Sequence, residues 1–131
     1  FNGLMQIPDR SMRRKAMSEI ERTLTQGGVF IFTTLDRESP LYREVFLDRD
    51  DPEHCVETNE GVLEFGDRHF DHEHGTTFMH VPVTTEVEED LAIAGFELVA
   101  SVMRSEICPE SDEVEDFSED CRFWIAKKPA G

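Results

Sequence analysis

The sequence predicts an α/β fold in a single domain, on three observations. An amphipathic run over residues 11–26 is closed by Gly27 and Gly28, and the β-forming run "VFIFTTL" follows at once. A second helical pattern over residues 84–94 is closed by Gly95 and followed by "FELVASVMRSE". Between these two units, "VLEFGDRHF" and "TTFMHVPV" flank the turn "DHEHG" and alternate as hairpin strands do. A length of 131 residues is enough for one domain.

In the first helix, Met12, Ala16, Met17, Ile20 and Leu24 recur at helical spacing and give one core-facing stripe. Pro8, Asp9 and Ser11 are its start signals: either Pro8 is the first helical residue or Ser11 caps a slightly shorter helix. Gly27 reads as the left-handed residue past the helix end, and Gly28 completes the turn. Residues 29–35 are apolar on both alternating faces, the pattern of a strand covered on two sides. A phosphate-cradling glycine loop runs strand, glycines, helix, so that amides at the helix N-terminus meet the anion. Here the order is reversed, and the glycines stop a helix.

Residues 36–40 form a polar exit, 41–47 a short helix and 48–59 a loop before the hairpin. Thr84 or Thr85 starts the second long helix, with Glu88 as capping-box partner of Thr85. Val87, Leu91, Ile93 and Ala94 make its apolar stripe. Residues 110–120 read as an acidic loop, and "CRFWIAKKP" as the last strand, ended by Pro129. The last two strands are expected to pair antiparallel at a sheet edge.

Twenty-nine acids face thirteen bases, for a formal net charge of −16. Such a chain repels phosphate backbones and anionic lipid, which argues against nucleic acid and membrane surfaces as partners. No apolar run is long enough to span a bilayer. Lys15, Lys127 and Lys128 are the only lysines. Abundant acid with scarce lysine fits a halophilic protein, because concentrated salt screens self-repulsion; an ordinary acidic cytosolic protein is the alternative. Cys55, Cys108 and Cys121 form no CxxC pair, and their odd number points to reduced thiols and a cytoplasmic setting, with a Cys108–Cys121 bridge left open. "FNGLMQIPDR" has neither an initiator Met nor the regions of a signal peptide, so the chain is expected to begin within a longer protein.

Four stretches together resemble the C-terminal half of a class I S-adenosylmethionine-dependent methyltransferase. "FNGLMQIPDR" is similar to the segment after that fold's fourth strand, and "AMSEIERTLTQGGVFIFTT" to the helix leading into its fifth. "HVPVTTEVEEDLAIAGFELV" resembles the helix before the sixth strand, and "CRFWIAKKP" the antiparallel seventh. The resemblance implies a partial Rossmann-like sheet of strands five, seven and six: residues 1–35 give the helix and central strand, 41–82 an inserted lid-like hairpin region, and 84–131 a helix and edge strands. It also implies S-adenosylmethionine as cofactor and a small-molecule acceptor. The family's glycine-rich loop and ribose-binding acid would lie before Phe1, so this polypeptide alone is expected to bind the cofactor weakly or not at all. The strand over 29–34 would then present a bare edge, open to a second copy or to the missing half.

By the same resemblance, Phe1, Asn2, Gly3 and Leu4 correspond to the loop where methyl donor and acceptor meet, with Phe1 able to pack on the sulfonium. A plain Asn-Gly turn explains the same residues. His80, at the end of the hairpin, is the candidate proton acceptor, set against a half-buried structural role. Arg68 is a candidate contact for an acidic acceptor. His69, His72 and His74 suit a divalent ion by residue type, but a hairpin tip scatters them. Two other classes stay open: a non-catalytic α/β association module, and an acidic metal-binding domain.

Overall fold

The computed structural model describes residues 2–47 and 64–131; Phe1, Cys55 and the loop expected over 48–59 lie outside the described residues. A short 3-10 helix, Asn2–Gln6, precedes α1, Arg10–Thr23. Asp9 caps α1, its carboxylate accepting the Ser11 amide at 2.8 Å. Both readings of the start are corrected: Pro8 precedes the helix and Ser11 is its second residue. The helix does not reach residue 26: it ends at Thr23 with Leu24 already extended, so Gly27, at φ +75°, serves the turn that follows and not the helix end. Its amide donates to the Lys128 carbonyl at 3.0 Å, and the Gly28 amide to Thr25 at 2.8 Å. The Gly28 amide closes the turn and the Gly27 amide ties it to the end of the last strand; neither is offered to an anion.

Three strands form the main sheet: β1 Val29–Thr34, β4 Glu97–Met103 and β5 Arg122–Lys127. The order is β1–β5–β4, with β5 antiparallel to both neighbours. One face buries Phe32, Trp124 and Ala126 against Met17 of α1 and Val87 and Leu91 of α3, Thr84–Ala94. Phe30 and Phe32 stack at 4.7 Å, and Trp124 Nε1 donates to Thr34 Oγ1 at 2.9 Å, so this indole brings no unpaired donor into the core.

The expectation that β1 is covered on both sides is corrected. Val29 and Ile31 are 51% and 52% exposed, because α1 and α3 cover only the face that carries Phe32. Among the described residues β1 pairs with β5 alone and lies at the sheet edge.

The inserted hairpin pairs β2, Asp67–His72, with β3, Gly75–His80, in a register that sets Asp67 opposite His80. With α2, Pro40–Leu47, it builds a second core of Leu35, Tyr42, Phe46 and Val81 beyond the end of β1. Three local readings change. Helix α3 starts at Thr84 with Val83 as cap and no side-chain cap bond, so the Thr85–Glu88 box does not form. Strand β4 stops at Met103 and continues as a helical turn, α4, Arg104–Ile107. Inside the expected acidic loop, Asp112–Phe117 is helical (α5), with Asp112, Glu113 and Glu115 in its first turn, where acids suit the helix dipole. Cys108 and Cys121 are free thiols. No helix among the described residues is long and apolar enough to cross a membrane.

Candidate functional site

Strands β1 and β4 run parallel to each other, so their carboxyl ends share one edge with the start of β5. Open α/β sheets place ligands at such an edge. Two clefts open there. One, of about 570 Å³, runs from Asp36 and Tyr42 to Met103 and Arg122. The other, of about 380 Å³, lies between Asn2, Leu35, Phe70 and Met79 on one side and Phe117 on the other. Glu119 lines both.

Tyr42 donates its hydroxyl to Glu119. Burial raises the phenol pKa and the carboxylate adds to it, so Tyr42 stays a donor and holds Glu119 in place. Across the larger cleft, Arg122 Nε and Nη2 reach Asp36 Oδ2 at 3.2 and 3.1 Å. Asp36 Oδ1 accepts the Glu38 amide at 3.0 Å.

A second polar centre lies at the base of the hairpin. His80 is fully buried; Nδ1 is 2.8 Å from Asp67 Oδ1, and Nε2 is 2.9 and 3.0 Å from the Glu86 oxygens. Both ring nitrogens face carboxylates, an arrangement that favours the imidazolium, the form with no lone pair free for an acceptor's proton. Burial works against that charge, but the bonds to Asp67 and Glu86 outweigh it and raise the pKa. Arg13, also buried, pairs with Glu64 and lies 3.6 Å from Glu86. Arg37 reaches Glu86 at 3.4 Å, donates to the Val81 carbonyl at 2.9 Å and lies over the Phe65 ring.

Ligand atoms of Glu64, Asp67 and His80 lie within 4.8 Å of one another, a grouping that a divalent ion could use. The charges favour a different reading. Three carboxylates, Glu64, Asp67 and Glu86, face Arg13, Arg37 and the imidazolium, and Arg10, shared with Glu89 and Asp90, also reaches Glu86 at 3.8 Å, so no negative charge is left over for a dication. A dication would need a neutral ring and would leave excess positive charge beside buried Arg13. The centre is an ionic seam joining the hairpin to α1 and α3.

The remaining candidates are dispersed. Asn2 Oδ1 accepts from Thr33 Oγ1 at 2.6 Å while the residue borders the smaller cleft. Gly3 is exposed, and Leu4 packs on the main core. Arg68 lies over the rings of Phe70 at 4.9 Å and Tyr42 at 5.6 Å. At the hairpin tip His69 packs edge-on against Phe78, His72 bonds Thr77 at 3.0 Å, and His74 pairs with Glu73 in solvent.

These residues do not by themselves fit a whole S-adenosylmethionine. Among the described residues, no strand-to-helix glycine turn offers backbone amides, and the acid that follows β1, Asp36, is already held by Arg122. At most they form one wall of such a site.

The Asp67–His80 pairing had a sequence signal. A tight turn at residues 73–74 sets any two residues equidistant from it opposite each other, and these two are. The Tyr42–Glu119 pair had none.

No protein-family model and no curated protein matches the sequence. Solved structures do. A SAM-dependent methyltransferase from Methanosarcina mazei aligns with a TM-score of 0.70 at 18% identity, covering 99% of this chain and 57% of that one. An S-adenosylmethionine-dependent methyltransferase from Clostridium acetobutylicum gives 0.55 at 14% identity, covering 99% of this chain and 56% of that one. The chain thus spans little more than half the length of either. At these identities the likeness concerns the fold: the chain has the α/β fold of the C-terminal part of an S-adenosylmethionine-dependent methyltransferase.

Proposed function

We propose that this chain is the acceptor side of an S-adenosylmethionine-dependent methyltransferase acting on a small molecule. The observation that carries the reading is the Glu119–Tyr42 pair, set between two clefts at the carboxyl edge of a methyltransferase-like sheet. The bound cofactor would supply the activated methyl group. The chain's own residues would orient the acceptor and keep water out, with the hairpin as a cover over the cleft. Asn2, Gly3 and Leu4, with Phe1, would border the donor. His80 would act as a positioning residue that fixes the hairpin. The net charge of −16 argues against nucleic-acid acceptors and fits a halophilic, cytoplasmic protein.

The test joins the chain to the residues encoded upstream of it and assays methyl transfer from labelled S-adenosylmethionine to a small-molecule library. Transfer is expected from the joined protein. Absence of a cofactor-binding sequence upstream would remove the reading. A non-catalytic association module is the second reading, favoured by the half-exposed Val29 and Ile31 on an edge strand.

A further inference from the structure

We propose that the cleft between the hairpin and Glu119 takes an amine-bearing, partly apolar small molecule, with its ammonium group on the Glu119 carboxylate. That such a ligand is the methyl acceptor rests on the reading above; the binding itself does not.

At about 380 Å³ the cleft falls within the range of small-molecule sites. Leu35, Phe70, Met79 and Phe117 give it an apolar half, Asn2, Thr77, Ser118 and Glu119 a polar half, and Glu119 is the one ionisable group lining it. Tyr42 fixes one oxygen of Glu119 with a neutral donor, which orients the carboxylate without cancelling its charge. No ion pair reaches Glu119 among the described residues. Glu119 is exposed, so an anionic ligand would meet its carboxylate in a chain of net charge −16, whereas an ammonium would pair with it.

Phe117, at the rim, is 92% exposed and belongs to neither core. The ring offers apolar surface that the body of a ligand in the cleft would cover.

The probes are benzylammonium and its anionic counterpart benzoate, titrated into the 131-residue chain and followed by amide chemical shifts. Saturable benzylammonium binding is expected, with shifts at Phe70, Thr77 and Met79, and benzoate at least about tenfold weaker. Glu119→Gln keeps an oxygen for the Tyr42 hydroxyl and so preserves the local geometry; it should weaken benzylammonium about threefold to fivefold. Phe117→Ala, at an exposed position, should weaken it about threefold with no change in stability. Absence of saturable binding, equal binding of benzoate, or an unaffected Glu119→Gln would overturn the proposal. Amine binding without methyl transfer by the joined protein would sink the enzymatic reading alone; methyl transfer without amine binding would sink this inference alone.

Discussion

His80 and Glu86 meet across the seam between the hairpin and helix α3, with Nε2 2.9 Å from one carboxylate oxygen and 3.0 Å from the other. Nδ1 holds Asp67 on the opposite side. Removing the ring leaves buried carboxylates short of one cation. His80→Ala is therefore expected to lower stability by about 3–5 kcal/mol in urea denaturation. An alanine variant as stable as the parent would show that the seam is not ionic.

The same seam sets a pH dependence. The His80 pKa lies above its ordinary 6.5, so its stabilisation is complete below pH 6.5 and is lost as pH rises through the folded value. For Glu86, burial pushes the pKa up, but His80, Arg37 and Arg10 bring it below the ordinary 4.5. Its contribution is present above pH 4.5 and lost as pH falls through the depressed value. The urea midpoint should peak between about pH 4.5 and 6.5 and decline on the alkaline side. His80→Gln should flatten the alkaline limb, and a parent midpoint still rising above pH 8 would contradict this assignment.

Gly66 sits under the seam with φ +106°. A Cβ there would come within 2.6 Å of the Val81 carbonyl and 3.0 Å of the His80 ring. Gly66→Ala combines backbone strain with a backbone clash, and should cost at least about 2 kcal/mol and detach the hairpin. Hydrogen exchange of the β2 and β3 amides reads this directly: protection equal to that of the parent would rule it out.

Strand β1 offers an unpaired edge with Ile31 half exposed. The chain should self-associate as its concentration rises, and Ile31→Lys should suppress this without loss of stability, because a charged edge disfavours strand addition. Sedimentation showing a monomer for both chains would refute the expectation.

What could be read from the sequence followed from local physics. Glycine at a left-handed position marked the end of α3, and alternation marked the hairpin, because these signals lie within a few residues of the structure they set; α1 instead ends at Thr23, and Gly27 marks only the turn that follows. The half-open face of β1 could not be read, since apolar residues on both faces look alike whether or not a second layer covers them. The helix within 110–120 was hidden by its acids, which read as solvated loop although three of them favour a helix start. His80 was singled out without its partners. Glu86 reaches it from α3 and is itself approached by Arg13 of α1, and Tyr42 and Glu119 are 77 positions apart, so only the folded chain brings them together.

Calorimetric titration of S-adenosylmethionine, into this chain and into the chain joined to its upstream-encoded residues, bears hardest on the acceptor-side reading. Micromolar binding to the joined protein and none to the 131-residue chain is the expected pair of results. Micromolar binding to the chain alone, or none to either, would contradict it.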